Sequence, residues 1–455
     1  MKNILIIGAG KSSSALIKYL LDKSEEENLQ LTIADISTKN ALLLINNHKN
    51  AKAIEFDVFD EHHRKSEIRK TDIVISMLPA RFHFEVAKDC IKFKKHMVTA
   101  SYVSEKMKAL DGDAKKNNLV FMNEIGLDPG LDHMSAMQVI DRIRDNNAKM
   151  LLFESFCGGL VAPESDTNLW NYKFTWNPRN VVLAGQGGAA MFIQEGTYKY
   201  IPYHKLFRRT EFLNINNEKF EAYANRDSLK YRSIYGLDNI PTMYRGTIRK
   251  VGFSRAWNIF VQLGMTDDSY TVENSSTMSY RDFVNLFLAY SPSDSVELKL
   301  RSYLKIDQDD IMWEKLVELD LFNPNKKIGL ANATPAQMLQ KILQDSWTLQ
   351  KEDKDMIVMQ HLFGYKIDGE KRQIESSLVV LGENQTYTAM AKTVGLPVAI
   401  AALKILKGEI KTAGVQIPIL KEVYEPILKE LENYGIKFTE KKVPYLGYNP
   451  NNVIG

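Results

Sequence analysis

Cysteine is nearly absent: Cys90 and Cys157 are the only two in 455 residues. They stand in no CxxC pair and beside no clustered histidine, so neither a disulfide framework nor a metal site is indicated. A charge of one sign is lacking too. Lys and Arg number 59 against 56 Asp and Glu, for a net charge of +3, and the two signs are mixed along the chain, which excludes a nucleic-acid footprint. No apolar run reads as long enough to span a bilayer. Met1-Lys2-Asn3 with Ile4 to Ile7 starts like a signal peptide, but the run breaks at Gly8-Ala9-Gly10 and continues as an amphipathic helix. The expectation is a cytoplasmic protein with a small-molecule partner and without metal, nucleic acid or membrane.

What is present is an ordinary globular composition, 44% hydrophobic and 25% charged. At roughly 100–200 residues per domain, the length implies two to four domains and a cleft between them. Lys2 to Ile7 reads as a buried strand, Gly8-Ala9-Gly10 as a turn, and the following segment as a helix with Ala15, Leu16, Tyr19 and Leu20 on one face. A second strand, Leu29 to Ala34, ends in Asp35, the spacing of a dinucleotide fingerprint. Gly8 allows the tight turn, Gly10 lets the backbone approach a pyrophosphate, and the helix starting at Lys11 and Ser12 offers N–H groups and a positive dipole end. The third glycine of the motif is replaced by Ser13. Further strands over Ala51 to Phe56, Ile73 to Ser76, His96 to Thr99 and Leu119 to Met122, alternating with helices, predict an α/β doubly wound parallel sheet of Rossmann type. Asp57, Met77, Leu78, Ser101 and Tyr102 then fall at strand ends lining the cofactor cleft. Asp35, an acceptor for a ribose 2′-OH that repels a 2′-phosphate, favours NAD over NADP.

The segment Asn123-Glu-Ile-Gly-Leu-Asp-Pro-Gly-Leu-Asp-His133 packs three carboxylates, a histidine, two glycines and a proline into eleven residues after an apolar run. Such a bend delivers acids to the end of a strand, where open α/β sheets bind ligands. Beyond it the pattern becomes α+β. Met150 to Phe156 reads as a strand ending in a Cys157-Gly158-Gly159 turn, and Tyr172 to Trp176 reads as a short aromatic strand. Arg226, Arg245 and Arg249 are expected beside turns; guanidinium forks bind carboxylates bidentately, so Arg226 and Arg249 suit an amino-acid or multi-carboxylate substrate. Gly185 to Gly188 lacks the strand and acid of a phosphate loop and reads as a turn. Asp282 to Gln350 is charged and helix-patterned, as an insertion. Met356 to Lys366 and Arg372 to Leu381 form a hairpin around Asp368-Gly369; the Ala-rich helix opening at Tyr387 is expected to break at Gly395-Leu396-Pro397, and a final amphipathic helix covers Ile419 to Tyr434.

Taken together, the Gly-Ala-Gly turn, Lys95 to Ser104, Asn123 to His133, Phe156 to Glu164, Tyr172 to Trp176, Asn225 to Ser228, Arg245 to Arg249 and Tyr387 to Pro397 resemble, in order and over nearly the whole chain, the glutamate-forming saccharopine dehydrogenases, also called saccharopine reductases. The resemblance implies a Rossmann domain over 1–125 with 388–455, an inserted α+β substrate domain over 126–281 with 351–387, and a small helical domain over 282–350. It implies contacts to saccharopine from Ser101, Tyr102, Asp128, Arg226, Thr247, Ile248 and Arg249. The nucleotide would meet Gly8, Gly10, Lys11, Ser12, Asp35, Asp57, Val58, Met77, Leu78, Leu127 and Trp176. Fungal members carry Cys-Arg-Thr where this chain has Asp35-Ile36-Ser37, so their NADP preference is not carried over. The reaction implied is oxidation of saccharopine to glutamate and 2-aminoadipate 6-semialdehyde, or its reverse, with Asp128 holding the cationic amine and Tyr102 or His133 relaying a proton. A carboxynorspermidine dehydrogenase-like imine reductase and a non-catalytic NAD-binding sensor are the alternatives, and a homodimer is compatible with the chain.

Overall fold

The computed structural model describes residues 1–448 and the backbone of 453–454. The chain divides into two compact units, 1–149 with 378–441 and 150–377 with 442–455.

The first unit is built on seven parallel strands. Six come from the first part of the chain: β1 (Lys2–Ile7), β2 (Leu29–Asp35), β3 (Ala51–Glu55), β4 (Ile73–Ser76), β5 (His96–Val98) and β6 (Val120–Met122). They lie in the order 3-2-1-4-5-6, the doubly wound arrangement, with the short strand Gly414–Gln416 added beside β6. That edge strand has no counterpart in the sequence reading, because three residues carry too little periodicity to register. β1 and β4 are almost wholly buried, as strands covered on both faces must be. Every central strand end therefore delivers the following loop to one edge of the sheet.

The helix Ala389–Leu406 runs through Gly395-Leu396-Pro397 without the expected break. Pro397 is buried inside it, and the reason for the glycine is close approach: a Cβ on Gly395 would lie 2.9 Å from the Leu16 backbone N and 3.0 Å from the Ser12 carbonyl oxygen. Backbone of the glycine-turn helix and backbone of this helix thus touch. By length and composition the helix could cross a membrane, contrary to the reading that no stretch is long enough, but 78% of it is buried inside the protein. It is a core helix. The boundary between units falls after Lys149 because the helix Leu131–Asp145 packs on Lys421–Leu431 of the first unit.

The second unit carries a ten-stranded mixed sheet, in which Glu370–Leu381, Asp355–Ile367, Lys149–Val161, Thr242–Lys250, Glu218–Ala224 and Thr210–Ile215 are successive neighbours. Lys149–Val161 is one long strand where a turn was expected at Cys157-Gly158-Gly159. The glycine is again steric: a Cβ on Gly158 would sit 2.5 Å from the Ile248 carbonyl oxygen on the adjoining strand. Tyr172 to Trp176 forms no strand, only an isolated bridge from Phe174 to Thr348, because its rings pack into an aromatic core instead. Asp368 and Gly369 both take positive φ, 50° and 84°, as a two-residue hairpin turn requires. The four helices Tyr280–Asn285, Val296–Leu304, Ile311–Glu318 and Pro335–Trp347 occupy the charged insertion, and this segment clusters with the second unit.

Gly395→Ala is expected to lower the unfolding free energy by about 1–3 kcal/mol through overpacking. A fall in the urea midpoint at unchanged slope would show it; an unaltered midpoint would mean that the two helices yield without cost.

Candidate active site

On the first unit the turn after β1 is held by short-range bonds. The Gly8 N–H donates to the Ala34 carbonyl at 2.8 Å, and Met77 N–H donates to the Ile7 carbonyl at 2.8 Å. Gly8 has φ 106°, and a Cβ there would meet the Met77 carbonyl oxygen at 3.0 Å, so the first glycine is required twice over. A Cβ on Gly10 would meet nothing within 4 Å, which leaves this backbone open to a ligand. The Ser13 hydroxyl donates to the Gly8 carbonyl at 2.9 Å and is buried. The residue standing in for the third glycine therefore closes the turn by a side-chain bond. Lys11 and Ser12 open the helical segment, whose first N–H groups have no partner within a helix. These residues fit a pyrophosphate.

Asp35 has another employment than expected. Its Oδ2 accepts the Ala9 N–H at 2.6 Å and its Oδ1 accepts the Ser37 N–H at 3.3 Å. Its carboxylate is a strut for the glycine turn as much as a ribose acceptor. At the end of β3, exposed Asp57 accepts the Phe59 N–H at 2.9 Å. The Val58 carbonyl accepts from Arg64 at 2.5 Å, and Arg64 pairs with Asp89 at 2.7 Å, both side chains buried. Met77 and Leu78 are half-buried after β4 and Leu127 is buried.

The ends of β4 and β5 are tied by a residue that sequence reasoning missed. His83 Nδ1 lies 2.8 Å from the Ser76 hydroxyl and Nε2 lies 2.7 Å from the Ser101 hydroxyl, with Thr99 at 3.3 Å. Burial pushes its imidazole down to about 4, so the ring is neutral. Only three spaced hydroxyl residues at strand ends hinted at such a centre, and a lone histidine seven residues after Ser76 gives no further signal.

Within the bend, Glu124 takes φ 53°. Its N–H donates to the Ser101 carbonyl at 3.0 Å, its Oε1 accepts the Val103 N–H at 2.9 Å, and its Oε2 lies 3.0 Å from His133 Nε2. Asp132 accepts the Gly130 N–H at 2.6 Å and is buried. The Asp128–Pro129 peptide is cis. Of the three carboxylates, Glu124 and Asp132 are thus spent on holding the loop, and Asp128 alone is partly exposed. His133 is fully buried against Glu124, which places it away from solvent as a proton relay. Tyr102 is 40% exposed, beside Ser101.

On the second unit, Arg226 is exposed with φ 42° in a turn, as expected, whereas Arg245 and Arg249 lie within the strand Thr242–Lys250. Ile248 is fully buried; Thr247 and Trp176 are half-buried. Arg249 is buried under three rings, its guanidinium carbon 5.2 Å from Tyr172, 5.3 Å from Phe253 and 5.7 Å from Tyr223. It donates to the Ile248 carbonyl at 2.8 Å and to the Tyr223 hydroxyl at 3.4 Å, while its Nε has no partner. The nearby Glu221 is committed to the N–H groups of Gly252 and Ser254 at the start of Phe253–Leu263. The Tyr172 hydroxyl and the Trp257 Nε1, in the same aromatic cluster, are likewise buried without a partner. Buried polar atoms are ordinarily paired, so three unpartnered donors around one guanidinium set this cluster apart.

A doubly wound sheet with a glycine turn at its centre, and a second unit carrying a buried guanidinium, define a dinucleotide-linked oxidoreductase. Residues 4–122 match the model described as "Saccharopine dehydrogenase NADP binding domain" and residues 126–436 that of "Saccharopine dehydrogenase C-terminal domain". The chain belongs to the saccharopine dehydrogenase family. It is 33% identical to saccharopine dehydrogenase [NADP(+), L-glutamate-forming] of Saccharomyces cerevisiae over 97% of this chain and 99% of that one. It is 34% identical to the mitochondrial alpha-aminoadipic semialdehyde synthase of Rattus norvegicus over 96% of this chain, but spans only 47% of that protein. The structure of the apo yeast L-Glu-forming enzyme matches with a TM-score of 0.87 at 32% identity, covering 97% of this chain and all of the other. A homospermidine synthase from Legionella pneumophila in complex with NAD, at TM-score 0.51 and 9% identity, shares the fold alone.

These findings overturn the preference for NAD: the matching domain is described as NADP binding and the fungal relatives are named as NADP(+) enzymes. The Asp35 carboxylate is engaged by the backbone N–H groups of Ala9 and Ser37, so its charge does not by itself select the nucleotide.

Because the His83 imidazole titrates near 6.5 unfolded and near 4 folded, the unfolded state binds the extra proton between those values, and stability falls as pH drops through that window. At about 1.4 kcal/mol per unit, His83→Gln should flatten the loss between pH 6.5 and 4 by roughly 2–3 kcal/mol. Parallel denaturation curves for both proteins across that range would refute this.

Proposed function

We propose that the chain interconverts saccharopine with glutamate and 2-aminoadipate 6-semialdehyde in lysine metabolism, linked to NADP. The observation that carries the substrate reading is Arg249, a buried guanidinium with an unsatisfied Nε and aromatic walls. A carboxylate docked there would gain charge-assisted hydrogen bonds and satisfy the open Nε. Exposed Arg226 suits a further carboxylate of the same substrate. The diamine half of a carboxynorspermidine-type substrate would want an acid in place of one of Arg226 and Arg249, so that reading finds less support.

When bound, the nicotinamide accepts a hydride from the lysine-side carbon of the substrate's C–N–C bridge. The chain's own part is to bind and to hold protons. Asp128, the partly exposed acid of the bend, faces the bridging amine in this reading and stabilises its cationic form. The Ser101 hydroxyl, positioned by the neutral imidazole of His83, offers an oriented polar contact. Tyr102 stands next in the chain, exposed enough to exchange a proton with solvent. Loss of the amine proton and of the hydride leaves an imine, which water attacks to release glutamate. His133 enters as a support for Glu124 and not as a relay. Arg249→Gln should raise KM for saccharopine by about 10–100-fold, the loss of one or two charged hydrogen bonds, and leave KM for NADP within about twofold. Equal effects on both constants would remove the carboxylate role, and absence of saccharopine-dependent NADP reduction by the unmodified protein would refute the function itself.

A further inference from the structure

His83 opens the helix His83–Phe93 and is 4% exposed, and its two ring nitrogens face hydroxyls of unequal standing. On the Nδ1 side, Ser76 is the last residue of β4 and fully buried; among the described residues, Nδ1 at 2.8 Å is the one hydrogen-bond partner of its hydroxyl. On the Nε2 side, Ser101 lies at 2.7 Å and is half-buried in the loop after β5. Buried Thr99 stands 3.3 Å from Nε2, and its hydroxyl oxygen accepts the Ser101 N–H at 3.3 Å.

A neutral imidazole has one N–H and one bare nitrogen, and a hydroxyl has one proton to give. Burial holds this ring neutral, so the surrounding hydroxyls decide which nitrogen carries the proton. With the proton on Nδ1, the ring would donate to Ser76 and leave a fully buried O–H without an acceptor, which is costly. With the proton on Nε2, Nδ1 accepts the Ser76 O–H and Nε2 donates to Ser101. The Ser101 oxygen then spends a lone pair on the ring and keeps its own proton for a further partner. Thr99 does not tip the balance, because Ser101 is the nearer of the two to Nε2 in either case.

We propose that His83 is a positioning residue which, protonated on Nε2, makes Ser101 a hydrogen-bond donor to a carboxylate of the substrate. The ligand's identity rests on the saccharopine reading above. An ionised carboxylate only accepts, whereas the cationic bridging amine only donates, so Ser101 takes an acidic group of the substrate and Asp128 takes the amine. The next residue after Ser76, Met77, donates its N–H to the Ile7 carbonyl beneath the glycine turn. One imidazole therefore joins the strand end that supports the nucleotide turn to the loop that offers Ser101.

Nitrogen NMR of isotope-labelled imidazoles in the full, unliganded chain reads the tautomer directly, with the His83 signals assigned by their loss in His83→Gln. The expected result at neutral pH is a protonated Nε2 and a bare Nδ1; the opposite tautomer overturns the proposal. In steady-state assays Ser101→Ala should raise KM for saccharopine about tenfold, the loss of one hydrogen bond to a charged group, and leave KM for NADP within about twofold. His83→Leu should raise KM for saccharopine by about 3–10-fold, and the double variant should be no worse than Ser101→Ala alone, because the ring acts through that hydroxyl. His83→Gln, whose amide N–H replaces the Nε2–H, should recover most of the loss. Effects that multiply in the double variant, or an equal rise in KM for NADP, would make His83 merely structural and refute the assignment. Should His83→Leu fail to fold, or saccharopine fail as a substrate, the tautomer in the unmodified protein still decides the role of His83.

Discussion

A single buried carboxylate, that of Glu124, holds the catalytic edge of the first unit together. Its backbone and side chain reach Ser101, Val103 and His133 at once, so the loop after β5, the bend after β6 and the helix Leu131–Asp145 share one anchor. The geometry that permits this is a non-glycine residue at positive φ, a conformation that persists only where its surroundings over-determine it. Glu124 and Asp132 are committed to the loop, and Asp128 is the least buried of the three.

The same logic recurs at the glycine turn. Asp35 and Ser13 both spend side-chain hydrogen bonds on the turn itself, replacing the packing a third glycine would allow. Gly395 then supplies the close helix approach from the other partner. A fingerprint read as three glycines along one stretch of chain is here completed by a glycine more than 380 residues away. This is also why the acid after β2 misled the cofactor reading: the residue type was legible, but its hydrogen-bond partner was not.

In the second unit electrostatics is organised by burial. Arg249 sits among aromatic faces with its Nε unpartnered, and burial raises the Glu154 carboxyl well above its usual range. A buried guanidinium with an open donor is costly to maintain. Natural chains retain such groups at sites of binding more readily than in passive cores.

The sequence by itself determined the doubly wound sheet, because six strands announce themselves as short runs between helices, within about a residue of their ends. It also determined the glycine turn, the Asp368-Gly369 hairpin, the helical insertion and the family likeness, since each depends on residues close together in the chain. Only the tertiary structure decided what depends on residues far apart: that Gly158 and Gly395 mark close backbone approach and not breaks, that His83 links two strand ends, and that Asp35 props the turn. It also decided that Arg249 is buried among rings with its Nε unpartnered. Local patterns encode local geometry, whereas the state of a charge is set by whichever distant groups the fold brings against it.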